Sequence, residues 1–101
     1  MQNISQEDAR KFLCDVMDEK CFWVNNGPIL KNIEELSTAV KTLNDETFNH
    51  HLNSEKNDFS RWIDDVIGDK KLANDIAKTK TKKSLIKKLD FRINQLKRAV
   101  S

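Results

Sequence analysis

The densest set of side chains able to move protons or hold a metal lies between residues 45 and 65. His50 and His51 stand side by side, with Asp45, Glu55 and Asp58 close in sequence; imidazole and carboxylate together can ligate zinc or shuttle protons. The spacing argues against both uses. Neighbouring residues on a helix point about 100° apart, and no HExxH pattern or second histidine one turn away completes a ligand set. A His-centred metal site is therefore the weakest of three readings. His51 is expected to pack beside Phe48 in a helix corner, and His50 is left as a candidate contact residue. No cofactor is expected.

Asp64 and Asp65 form a second acidic pair, of a kind that can serve hydrolysis when both carboxylates converge. Adjacent positions diverge, so a solvated face or pairing with Lys56 or Arg61 is expected. The chain carries no Ser-His-Asp signature, Walker loop, GxGxxG or nucleophile elbow, and its two glycines leave little room for a phosphate-cradling loop. It reads as a non-enzyme.

The charge pattern is more telling than the net charge of +2. Residues 1–69 hold 7 Lys or Arg against 14 Asp or Glu, a net of −7, whereas residues 70–101 hold 11 against 2, a net of +9. Such a split marks a basic segment meant for an acidic surface, or two halves that attract each other. Lys78, Lys80, Lys82, Lys83, Lys87, Lys88, Arg92, Lys97 and Arg98 are the candidate contacts to a partner or to phosphate. No aromatic platform is read among these lysines, so base-specific recognition is not expected. Trp62 falls on an apolar stripe and should be core, while Trp23, beside a turn, is a candidate interaction residue.

These residues must be positioned by helices, since only two glycines and one proline interrupt 101 residues. Ser5 with Asp8 resembles a cap, and Ala9, Phe12, Leu13, Val16 and Met17 recur at helical spacing. Cys21 to Val24 and Ile29-Leu30 flank Asn25-Asn26-Gly27-Pro28, which predicts a small hairpin. Asn32 with Glu35 forms a capping-box pattern ahead of Ile33, Leu36, Ala39, Val40 and Leu43. Asn44-Asp45 starts a short helix with Phe48 and His51. Asn57 or Asp58 caps the next, whose Phe59, Trp62, Ile63, Val66 and Ile67 repeat at i, i+3, i+4, i+7, i+8 up to Gly68. Asp69 can cap a helix with Leu72, Ala73 and Ile76 inward, and Thr81 a last one running to Val100. On that helix Ile86, Leu89, Ile93, Leu96 and Val100 are spaced 3, 4, 3, 4, the seam of a coiled coil, which makes self-association an expectation.

At this length one core is expected. No apolar run approaches the roughly 18 residues of a membrane span, and the first residues lack a signal-peptide layout. Cytoplasmic location is expected. Cys14 and Cys21, seven apart and without a CxxC pair, predict reduced, buried thiols.

Residues 21–76 resemble a family of small uncharacterised domains found mainly in archaea and some bacteria. In that pattern an aromatic pair and a hairpin glycine precede a Leu-containing helix, followed by Phe-x-x-His, Asn-Asp-Phe, Trp-Ile, Asp-Val and Gly-Asp. Here these are Phe22, Trp23, Gly27, Leu30, Glu35, Leu36, Phe48, His51, Asn57, Asp58, Phe59, Trp62, Ile63, Asp65, Val66, Gly68 and Asp69. Leu52 replaces a frequent valine and keeps its apolar character. The resemblance implies a helical module often attached to other proteins; it supplies no reaction or catalytic residue.

The sequence thus predicts a mainly α fold, a compact bundle of five or six short helices with a minor hairpin near residues 21–31 and a longer C-terminal helix. Residues 1–77 form an acidic helical body, and residues 78–101 a basic helix packed on it or extending from it. Its core should comprise Phe12, Leu13, Val16, Leu36, Val40, Phe48, Phe59, Trp62, Ile63, Val66, Leu72 and Ile76. The leading functional expectation is a non-catalytic interaction module; the alternative is a nucleic-acid or ribosome-associated factor gripping phosphate through the basic helix.

Overall fold

The computed structural model describes residues 4–101. Six α-helices and one two-stranded antiparallel hairpin follow in the order α1 (Gln6–Leu13), β1 (Phe22–Trp23), β2 (Ile29–Leu30), α2 (Ile33–Thr42), α3 (Asp45–His51), α4 (Asp58–Trp62), α5 (Lys70–Ala77) and α6 (Lys82–Val100). A 3-10 turn, Asp18–Lys20, precedes β1, and α4 runs on as a π turn over Ile63–Ile67.

The polar punctuation acts as read. Ser5, Asn32, Asn44, Asn57, Asp69 and Thr81 each accept a backbone N–H three residues on, satisfying one of the amides that a helix start leaves unpaired. Glu35 completes a variant of the capping box, its Oε1 accepting from the Lys31 N–H at 2.8 Å.

Two helices depart from the periodicity. The first stops at Leu13 because the following chain turns extended and its Val16 N–H bonds to the Lys31 carbonyl at 2.8 Å. Val16 is therefore only half-buried beside β2, and Met17 faces solvent. The stripe through Ile67 does not stay α: the Gly68 N–H reaches back to Ile63 O at 2.8 Å, five residues away, and Gly68 closes the turn at φ 88°. The wider turn leaves Val66 half-buried while Ile63 and Ile67 stay inside.

Buried side chains from the hairpin, α2 to α5 and α6 make one core. Of the expected core, Phe12, Leu13, Val16 and Val66 lie at its edge rather than within it. α6 lies against α1, α2 and α5, and the Cα radius of gyration, 12.9 Å, is that of a single domain of this length, about 13 Å. The basic helix is thus part of the body. Its seam residues Leu89, Ile93 and Leu96 are buried in that core and Ile86 is half-buried against it, so the heptad seam packs on the chain's own helices. The repeat arises because a helix crossing several neighbours also needs one continuous apolar stripe.

Candidate functional site

The corner around His51 is built from three segments. His51 ends α3, buried between Phe22 and Phe59, with ring centroids 5.0 and 5.6 Å away. Its Nδ1 lies 2.9 Å from Asp58 Oδ2, and its Nε2 accepts the Asn25 N–H at 3.0 Å. These partners assign the neutral tautomer with the proton on Nδ1. A general base needs a free lone pair near its substrate; the Nε2 lone pair is already engaged by a backbone amide in a buried place. His51 therefore works as a strut that fastens the hairpin loop to the start of α4.

Asp58 takes a second partner, Lys56 Nζ at 3.1 Å. Burial raises its pKa, but the hydrogen bonds from His51 and Lys56 and the Lys56 charge outweigh this, holding the carboxyl below its ordinary value of 3.8. Asn57 caps α4 and also donates from Nδ2 to the Ile76 carbonyl at 2.9 Å, tying α4 to the end of α5. Phe59 stacks on Phe22 at 5.4 Å, and Trp62 donates from Nε1 to Lys20 O at 2.7 Å. The structural motif read from the sequence, His51, Asn57, Asp58, Phe59 and Trp62, is thereby brought together. His50 stands exposed beside it.

On the other side of the hairpin the chemistry is different. Phe22 and Leu30 pair in register and are buried; Trp23 and Ile29 pair in register and point out, 69% and 50% exposed. The loop that joins them constrains its residue types. Gly27 is needed there, since a Cβ would sit 2.8 Å from Val24 Cγ1, and Asn26 takes the left-handed φ of 57°.

The basic candidates divide by face. Lys82 bonds to the Leu43 carbonyl and lies near Asp45, Lys97 meets Glu34 at 3.1 Å, and Lys88 donates to Asp75 O. Arg92 departs from the expectation of a phosphate contact: it is buried, its Nε and Nη2 donating to Asp69 Oδ2 and Oδ1 at 2.7 and 2.9 Å. Among the described residues Lys78, Lys80, Lys83, Lys87 and Arg98 are exposed and carry no ion pair. Phe91, 63% exposed, stands among them, which corrects the expectation that no aromatic accompanies the lysines. Its place off the 3-4 seam was the available signal.

No family model, curated protein or solved structure matches this chain.

Elsewhere among the described residues no set of acids, bases or ligands converges. A cleft of about 890 Å³ between α4 and α5 includes Asn57, Ser60, Asp64 and Lys70, yet Asn57 and Ser60 are bonded to the Ile76 and Ala73 carbonyls and Asp64 to Lys70. Asp65 lies 3.8 Å from Arg61. Among the described residues no three His, Cys, Asp or Glu are grouped to hold a metal. Cys14 is exposed and Cys21 half-buried, against the expected burial of both thiols. No helix of the described residues is long and apolar enough to cross a membrane.

Proposed function

We propose that the chain is a non-catalytic interaction module that docks a protein partner on the outer face of its hairpin, through Trp23 and Ile29. The observation that carries this reading is the exposure of Trp23. An indole left in water on a polar surface costs solvation free energy and stabilises nothing in the monomer, whereas at an interface it is among the strongest anchors. Ile29 directly opposite widens it into an apolar patch.

The backing favours binding as well. Phe22, Val24 and Leu30 are buried beneath the patch, and the Asn25 amide is fastened to His51, so the ring is presented on a framework that loses little entropy on docking. The partner is a protein with an apolar pocket able to take an indole.

The test is capture from native lysate with wild type and with Trp23→Thr/Ile29→Thr, which places a strand-favouring β-branched residue at both positions. Bands held by wild type should disappear with the variant while its thermal unfolding stays unchanged. An identical set of captured proteins would refute the proposal.

A further inference from the structure

We infer that the outward face of α6 binds single-stranded nucleic acid, with Phe91 as the ring on which a base stacks. At 100° per residue, positions 83, 87, 91, 94 and 98 fall within about 80° of arc and extend along about 22 Å of helix. Lys83, Lys87, Phe91, Asn94 and Arg98 occupy them, all exposed, with Lys80 just before the helix.

Three observations select this ligand. First, the stripe is cationic and unneutralised. The sole acid of α6, Asp90, borders the stripe beside Lys83 but is already engaged across the helix pair, accepting from Ser37 Oγ at 2.5 Å and pairing with Lys41 at 3.1 Å. Second, Phe91 is the one large apolar side chain of α6 placed away from the core among those cations. A duplex keeps its base faces inside the stack; only an unpaired strand can lay a base on this ring. An acidic peptide would use the charges and leave the ring idle. Third, Phe91 edges a groove of about 480 Å³ between α5 and α6 in which Ser84 and Gln95 offer polar groups. Asp75, which also lines it, is paired with Lys71 at 3.3 Å.

The experiment is fluorescence anisotropy of the full chain with a labelled oligothymidylate, a duplex of equal length and polyglutamate as competitor, across a salt series. Contacts from Lys80, Lys83, Lys87 and Arg98 give an expected log–log salt slope of about −3, at about −0.7 per phosphate on a single strand. Single strand should bind more tightly than duplex. Phe91→Leu, which keeps an apolar side chain and removes the ring, should weaken single-strand binding about 5- to 150-fold, the range for one stacked base. Duplex binding should not change, and Phe91→Trp should restore the single-strand affinity. Lys83→Glu/Lys87→Glu should abolish both.

Equal affinity for duplex and single strand, or a Phe91→Leu protein indistinguishable from wild type, would overturn the inference. Polyglutamate competing as well as oligothymidylate would also overturn it and assign the face to an acidic protein. The hairpin variant Trp23→Thr/Ile29→Thr should bind oligothymidylate normally, so this outcome is independent of the protein-docking proposal.

Discussion

Replacing Arg92 by methionine separates a folding role from a binding role for the one basic residue that the sequence and the structure place differently. Arg92 lies 23 residues from Asp69, and its guanidinium grips both carboxylate oxygens inside the protein, at 2.7 and 2.9 Å. Asp69 is also the cap of α5, its Oδ1 taking the Leu72 N–H at 3.2 Å. Arg92→Met fills similar volume but strands a buried carboxylate, which costs about 3–5 kcal/mol. With an unfolding entropy of about 2.1 cal/mol/K per residue, each kcal/mol shifts the midpoint of a chain this long by about 5 °C, so Tm should fall by about 15–25 °C. Adding Asp69→Asn removes the stranded charge and keeps an amide oxygen able to cap α5, so the double variant should recover most of the loss. The assay is thermal and urea unfolding of wild type, both single variants and the double, closed as a cycle. Additive losses, or an Arg92→Met protein within about 1 kcal/mol of wild type, would show that the pair does not hold α6 to α5 as described. Below its lowered midpoint, Arg92→Met should leave the salt slope of oligothymidylate binding as in wild type, whatever its effect on the groove through Gln95; a slope smaller by one phosphate contact would return Arg92 to the phosphate-contact role.

Two further outcomes follow from the corner and from α2. His51→Phe keeps a planar ring but leaves the Asn25 N–H and Asp58 each short of a partner; a loss of about 1–3 kcal/mol is expected, with amide exchange at Asn25 accelerating more than exchange in α6. Asp58 and Asp90 both have lowered pKa values. For Asp90 the cause is first the Ser37 hydroxyl, whose bond outweighs burial, and then Lys41. A depressed native value means that the native state releases its proton more readily than the unfolded chain. The stabilisation is thus present above the ordinary carboxylate value and lost as pH falls through the native one. Urea midpoints should be flat near neutrality and fall below about pH 4, and Asp58→Asn should shallow that fall; an unchanged slope would refute the assignment.

Much of the fold was legible because it is written in local signals. Six helix starts carry an oxygen-bearing side chain that reaches an amide three residues ahead, and that interaction depends only on nearby residues. The hairpin was legible for the same reason, through Asn26 and Gly27. What escaped was decided by distant partners. Helix α1 ends early because Lys31, eighteen residues beyond Leu13, offers Val16 a better hydrogen bond than another helical turn would. The π turn depends on where Gly68 falls relative to Ile63 and on how the core receives the widened loop. Arg92 looked like any other cation of the basic segment, since nothing near it in sequence announces Asp69.

The charge split acquires a physical meaning once the faces of α6 are separated. If the acidic half served only to neutralise the basic helix, the cations would be drawn toward it on every side. Instead Lys82, Arg92 and Lys97 meet Asp45, Asp69 and Glu34, while Lys83, Lys87 and Arg98 point where no acid of the described residues pairs with them. Exposed ion pairs contribute about 0–1 kcal/mol each, so folding gains little from the surface pairs, Lys82 with Asp45 and Lys97 with Glu34, and much from the buried Arg92 pair. A free cationic face contributes nothing to folding and raises self-repulsion. Lys83, Lys87 and Arg98, unpaired on the face of α6 that carries the solvent-facing Phe91 ring, thus add nothing to the fold itself, and this is the ground on which a polyanionic ligand with a ring to stack on Phe91 is proposed for that face.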